Sequence, residues 1–533
     1  MDDRASLPAS VQERLDRLAP DQRAAAMAPP GPVLCVAPAG SGKTTTLVAR
    51  IGWRIATGAD PASVCAVTFN RRAAEELRER LDAALEPQGV APGIVQVRTF
   101  HALGRRILRD SGVDVTRLAT RAEVIERLAG GPLPASGMRV LDDAFTRLTL
   151  DPERGPSPDQ VHIHAAYAAY RAALAADSML DLDDLVAGAL RVLREDARAL
   201  AMWRSRTQVL LVDESQDLDR TQLELALLLA GDTRDIFLVG DDDQTIYAWR
   251  LADVRRILDL AGRLPGLRRF DLTTNYRCPP EVVRRAARLV EHVTERFVKR
   301  IDAAPNATGA LILAPDPGDD VARARRLLTA WYGRDAGGYA ILARTNGQLA
   351  PYAAVAVERG IPFRVEQDGL ALDDPAVDAL LDLVARDGRD HEPLLLRVAA
   401  AARLVPSAET GQVVLGWAAA FGSLGSLRAA IKRGRQCSVS VRDQSGALTL
   451  ATAHGTKGLE FDHVAVVGMD EGVFPSDRSI TEAPDPVRAL DEERRLAYVA
   501  WTRARKELLL VYDPDAPSIF MREAFSAAEL RPP

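Results

Sequence analysis

The chain has 533 residues, 47 % hydrophobic and 27 % charged, with a formal net charge of −6. That length supports several domains with cores of their own, and no run of about 18 uninterrupted apolar residues appears, so no membrane span is expected. The acidic balance excludes a protein that is basic throughout, yet a local groove with stacking aromatics holds a nucleic-acid strand without a basic whole.

Met1-Asp2-Asp3-Arg4 opens the chain acidic and without an apolar signal core, which predicts a cytoplasmic protein. Cys35, Cys65, Cys278 and Cys437 lie far apart and form no CxxC pair, against a zinc ribbon or iron–sulfur cluster. Short β-rich runs at 33–37, 64–69, 94–99, 208–213 and 236–240 alternate with Ala/Leu/Arg helices. Residues 104–200 turn almost wholly helical, as an insertion does. A second set of runs follows at 309–314, 338–344, 447–453, 463–469 and 507–512, interrupted by a helical block at about 373–445. The expected fold is α/β, with two cores that each carry one inserted, mainly helical block. With about 20 residues after the last run, no further nuclease or partner-binding domain is expected.

The chemistry begins at Ala37-Pro38-Ala39-Gly40-Ser41-Gly42-Lys43-Thr44, between the apolar run Val33–Val36 and a helical stretch. This is a strand, a glycine loop and a helix N-terminus, the elements of a phosphate cradle. Backbone N–H groups close around phosphates, Lys43 adds a point charge, and the Thr44 hydroxyl suits Mg²⁺. Only the first core carries such a loop, so one nucleotide per chain is expected. Val209–Val212 then runs into Asp213-Glu214-Ser215-Gln216-Asp217. Two adjacent carboxylates at a strand end point differently, so Asp213 can hold Mg²⁺ while Glu214 orients and deprotonates water.

Phe237–Gly240 leads into Asp241-Asp242-Asp243-Gln244-Thr245-Ile246-Tyr247-Ala248-Trp249-Arg250. Gln244 can sense a γ-phosphate, and Tyr247 and Trp249 offer faces for bases. Arginines recur in Asn275-Tyr276-Arg277 and in the late helix ending Tyr498-Val499-Ala500-Trp501-Thr502-Arg503. An arginine finger is worth roughly 10³–10⁵ in rate. Lys43, Lys299, Lys432, Lys457 and Lys506 are the only lysines among 68 basic residues, a bias expected of a GC-rich genome. Lys43, Lys457 and Lys506 fall inside chemistry-bearing motifs, where an ammonium and a guanidinium are not interchangeable.

Taken in collinear order from Gln22 to Lys506, these blocks resemble a UvrD/Rep-type superfamily 1 DNA helicase. The resemblance implies two RecA-like P-loop NTPase cores, at 1–109 with 188–275 and at 276–372 with 446–533. Helical insertions fill 110–187 and 373–445, the second much reduced. It implies that Gln22 reads the edge of adenine, Tyr276 stacks on it and Glu460 contacts the ribose. Ala39, Gly40, Ser41, Gly42, Lys43, Thr44 and Thr45 line the nucleotide, Thr45 standing where relatives often carry an arginine. Thr44 and Asp213 hold Mg²⁺, while Gln244, Arg277 and Arg503 sense the γ-phosphate. Thr68, Phe69, Arg72, Thr99, His101, Tyr247, Trp249, Arg250, Asn346 and His454 fall where the family contacts single-stranded DNA.

The expectation is therefore an ATP- and Mg²⁺-dependent 3′→5′ DNA helicase, a monomer or weak oligomer. It would act on single strands and on junctions with duplex, with repair or replication proteins as partners. The cores are expected to clamp ATP in a shared cleft, with bases lying on Phe69, Tyr247 and Trp249. Two alternatives differ in class: a DNA-stimulated translocase that remodels nucleoprotein without unwinding, and an ATP-gated binding module without turnover.

Overall fold

The computed structural model describes residues 7–531, apart from 134, 158–159, 232–234, 336, 367–369, 371, 406 and 441–446. The side chain of Cys437 also lies outside the described residues. The chain divides into two compact units. The first comprises Met1–Thr273 with Glu295–Arg300, the second Thr274–Thr294 with Ile301–Pro533.

The first unit is built on β1 (Val33–Val36), β2 (Val64–Thr68), β3 (Gln96–Thr99), β4 (Val209–Val212), β5 (Ile236–Gly240) and β6 (Arg268–Asp271). These form one parallel sheet in the order β3-β2-β4-β5-β1-β6. β1, β2, β4 and β5 are buried at every residue, as central strands covered on both faces must be. The two-residue alternation of side chains divides them between two cores. Val33, Cys35, Val209, Leu211, Phe237 and Val239 face the helix Lys43–Ala56. Leu34, Val36, Leu210, Val212, Ile236 and Leu238 face the helices Phe100–Asp110 and Asp184–Glu195.

Between β3 and β4 stand the helices Arg121–Ala129, Ala135–Leu150 and Val161–Ala176. They enclose a small core of their own around Phe145, Ile163 and Tyr170.

The second unit opens with the short pair β7 (Thr274–Asn275) and β8 (Asp302–Ala303). Its main sheet comprises β9 (Ala310–Pro315), β10 (Tyr339–Ala343), β11 (Phe363–Val365), β12 (Leu448–Thr452), β13 (Phe461–Val466) and β14 (Ala504–Tyr512). All pairings are parallel, in the order β11-β12-β10-β13-β14-β9. The fold class is thus α/β with parallel sheets, as expected.

The helices between β11 and β12 do not form a separate core. Val377, Leu380, Val398 and Trp417 share one cluster with Ile341, Leu349 and Leu450 of the sheet layer. Small residues allow this close approach: a Cβ on Gly416 would lie 2.6 Å from the Ala350 Cβ.

Candidate functional site

The candidate residues of the first unit stand at strand termini, because in parallel sheets the loops beyond the strand C-termini gather along one edge. β1 feeds the loop 37–42, and Gly40 (φ 68°) and Gly42 (φ 84°) take the left-handed turn that lets the helix Lys43–Ala56 start there. The free N–H groups of that helix's first turn make an anion cradle. Ser41 is buried, and its Oγ has no hydrogen-bond partner. Gly42 leaves room for Gln22, since a Cβ there would lie 2.5 Å from Gln22 Nε2.

β4 ends at Val212 and runs into Asp213, and the next residue, Glu214, is held at φ 50°. A left-handed backbone is uncommon for glutamate and is retained where the surroundings impose it. Glu214 N–H donates to Asp213 Oδ1 (2.9 Å). Glu214 Oε1 faces Lys43 Nζ at 3.6 Å, and Glu214 Oε2 accepts from Gln216 Nε2 at 2.6 Å. Gln216 Oε1 in turn accepts the Asp241 N–H beyond β5 (3.0 Å). Asp241 Oδ2 accepts from Gln244 Nε2 (2.6 Å). A continuous polar chain therefore runs Lys43–Glu214–Gln216–Asp241–Gln244. Gln216 and Asp241 had no assigned role from sequence, although each shares a motif with a residue that did.

Gln22 is buried beside the loop. Its Nε2 donates to Ser41 O (2.8 Å) and its Oε1 accepts the Ala19 N–H (3.1 Å), so both amide poles are engaged by the protein. Thr44 is half-buried and Thr45 exposed on the first helical turn. Among the described residues no three His, Cys, Asp or Glu side chains form a metal cluster. A Mg²⁺ held largely by nucleotide phosphates needs only one or two carboxylates.

The aromatic surface lies beyond β2 and β5. Phe69 and Tyr247 stack on each other, with centroids 5.0 Å apart and planes at 13°. Arg250 covers the Trp249 ring at 4.6 Å, and Trp249 is 59 % exposed. The facing sides of Phe69 and Tyr247 are used on each other, which leaves their outer faces and the Trp249 ring open. Thr68 is buried and its hydroxyl donates to Asn70 O (3.1 Å), which shapes the loop after β2. Thr99 Oγ1 caps the helix Phe100–Asp110 by accepting the Ala102 N–H (3.2 Å). Arg72 is exposed in the first turn of the helix Arg71–Leu85, which Asn70 caps (2.8 Å to Ala73 N). Burial, then Arg250, lower the pKa of His101.

In the second unit, Tyr276 is 49 % exposed, as a stacking ring requires. Arg277 Nε donates to Glu460 Oε2 (2.7 Å) and its Nη1 to Thr502 O (3.3 Å), so two expected nucleotide contacts hold each other. Arg503 is 2 % exposed, its Nε donating to Val499 O (2.8 Å) and its Nη1 to Leu459 O (3.2 Å). Asn346 Nδ2 donates to Glu409 Oε1 (2.7 Å) on the helix Ala408–Ala418. Burial, then Arg344, push the His454 pKa down to about 4, so its imidazole is neutral.

The sequence is similar to a known family over most of its length. The profile of the UvrD/REP helicase N-terminal domain matches residues 18–153 and 139–265. That of the UvrD-like helicase C-terminal domain matches 427–514. ATP-dependent DNA helicase UvrD2 of Mycobacterium tuberculosis (strain ATCC 25618 / H37Rv) is 31 % identical over 92 % of this chain and 77 % of its own length. DNA helicase II of Escherichia coli (strain K12) is 28 % identical over 94 % and 85 % respectively. ATP-dependent DNA helicase PcrA of Bacillus subtilis (strain 168) is 26 % identical over 97 % and 85 %.

Proposed function

We propose that this chain, which belongs to the UvrD/REP helicase family and is an ATP-dependent DNA helicase, moves 3′→5′ on single-stranded DNA and separates the duplex ahead of it. The carrying observation is the polar chain at one sheet edge that joins the loop lysine, Lys43, to Glu214 and Gln244.

The residues present fit ATP·Mg²⁺. The buried, unpartnered Ser41 Oγ and the left-handed Gly42 stand at the helix N-terminus where a phosphate would sit. Thr44 and Asp213 offer the hard oxygens that Mg²⁺ prefers. When bound, Mg²⁺ neutralises charge on the phosphates.

In this reading Lys43 pairs with the phosphates, Glu214 orients and deprotonates water, and Gln244 senses the γ-phosphate. Gln22 reads adenine once its amide turns from Ser41 O and Ala19 N. From the second core, Tyr276 stacks on adenine, Glu460 contacts the ribose, and Arg277 and Arg503 supply charge to the departing phosphate. ATP hydrolysis would then be coupled to movement along the strand. Bases pack against Trp249 and the outer faces of Phe69 and Tyr247, with Arg72, Thr99, His101, Arg250, Asn346 and His454 along the strand. Stacking contributes roughly 1–3 kcal/mol per base, enough to hold and small enough to release in each cycle. The cellular setting is DNA repair or recombination.

Strand displacement on 3′-tailed and 5′-tailed duplexes, run beside ATPase with and without single strands, tests this. Displacement of the 3′-tailed substrate alone supports it; displacement of the 5′-tailed substrate alone refutes the polarity. A second reading, a translocase that remodels nucleoprotein without unwinding, is favoured by the insertion between β11 and β12 sharing its unit's core. DNA-stimulated ATPase without displacement would select it.

A further inference from the structure

Residues Glu295–Arg300 belong to the first unit, although the chain on either side belongs to the second. This strap is secured at both ends. Before it, the Thr294 N–H and hydroxyl donate to Asp491 Oδ2 (3.0 and 2.6 Å). After it, β8 pairs with β7, immediately before Tyr276 and Arg277. Between the anchors it delivers two cations to the three aspartates that follow β5. Lys299 Nζ donates to Asp241 Oδ1 (2.7 Å), pairs with Asp243 Oδ2 (2.9 Å) and also bonds Asp242. Arg296 forks onto Asp243 (2.9 and 2.7 Å), and the Phe297 N–H donates to Asp242 Oδ2 (2.8 Å).

The chemistry explains why lysine persists here in a chain whose basic residues are otherwise almost all arginine. An ammonium has three donors that can diverge from one point to three carboxylates, whereas a guanidinium is planar and forked. The Lys299 side chain is 1 % exposed and those of the aspartates 0 %. Burial opposes charge on Asp241, yet Lys299 and then Lys43 outweigh it and lower its pKa. Burial raises that of Asp242, against Lys299. Asp241 thus stays an anion that can accept from Gln244. Its two carboxylate oxygens divide between Lys299 (Oδ1) and Gln244 (Oδ2).

We propose that Lys299 is a positioning residue for nucleotide hydrolysis: it holds Asp241, and through it the Gln244 amide, in the orientation that senses the γ-phosphate. The proposal rests on the reading of Gln244 as sensor.

The test is a double-mutant cycle in the full chain. Because Lys299→Met alone strands buried carboxylates and can impair folding, it is paired with Asp242→Asn, which keeps the charge balance and an oxygen for Phe297 N–H. K299M/D242N should lower kcat for DNA-stimulated ATP hydrolysis roughly 10-fold while KM for ATP stays within about twofold. On a Gln244→Ala background the same pair should add less than about twofold, since residues acting as one unit are non-additive. Unchanged kcat in the folded pair, or losses that multiply on the Gln244→Ala background, would overturn the proposal. A Gln244→Ala chain with normal turnover fails differently: it removes the sensor assignment itself, and Lys299's route with it.

Discussion

A single methyl group added at Gly240 should loosen Glu214 from its support. The Cβ of Gly240→Ala would fall against Gln216 Oε1 inside any real contact distance, 2.7 Å from Ser215 Oγ and 3.2 Å from Gln216 N. The serine hydroxyl can rotate away. Gln216 has little freedom, because it is 1 % exposed and its backbone is one of the obstacles. Displacing its amide breaks the bond from Asp241 N–H, about 1 kcal/mol, and the bond to the Glu214 carboxylate, about 1.5–3 kcal/mol. If about 2 kcal/mol of the second bond is felt in the transition state, turnover falls roughly 30-fold. Overpacking should also lower stability by about 1–3 kcal/mol. Steady-state ATPase at saturating single-stranded DNA, with a thermal melt to confirm folding, reads both effects. A folded G240A chain with kcat within about twofold of the parent would refute the argument that Gln216 holds Glu214 for catalysis.

Lys43→Ala should abolish ATP turnover and leave the melting temperature nearly unchanged, because its one ion pair here is long, at 3.6 Å; near-normal turnover would break the phosphate assignment. Trp249→Ala should raise the single-strand concentration needed for half-maximal stimulation by roughly 5- to 100-fold, the equivalent of one lost base stack. If basal and stimulated ATPase fell equally, Trp249 would not be a platform for the strand. His454 should make stability pH-dependent. Its folded pKa, about 4, lies below the ordinary value of 6.5, so the unfolded chain binds the proton more readily. Its neutral form is fully compatible with folding above pH 6.5, and stability is lost as pH falls from 6.5 towards 4, at up to about 1.4 kcal/mol per unit. His454→Asn should remove that slope from the pH–Tm curve, and identical wild-type and variant curves between pH 4 and 6.5 would count against a buried neutral imidazole.

The central strands of both sheets were visible in the sequence, and so were the edge strands β3 and β9. Val33–Val36 and Val209–Val212 are apolar at every position, since a central parallel strand has no solvent side to mark with polar residues. β6 escaped notice because Arg268, Arg269 and Asp271 leave it one apolar position, and β11 because three residues are too few to show a period. The helical block between β11 and β12 was legible as helix, but its fusion into the second unit's core was not. That fusion depends on facing small residues such as Ala350 and Gly416, which periodicity does not pair.

For the site, chemistry carried by contiguous residues could be read directly: the loop ending in Lys43-Thr44, the Asp213-Glu214 pair and the block around Gln244. Each is local because a strand end and the turn after it present adjacent residues to one point. Tertiary structure alone decided which groups hold those residues in place. Lys299 meets Asp241 across 58 positions of chain, and Gln216 meets Asp241 across 25. Linear spacing carries no trace of such partners. They meet because a parallel sheet orders its strands by packing and not by sequence, and so brings the ends of β4 and β5 and the strap at 295–300 to one edge.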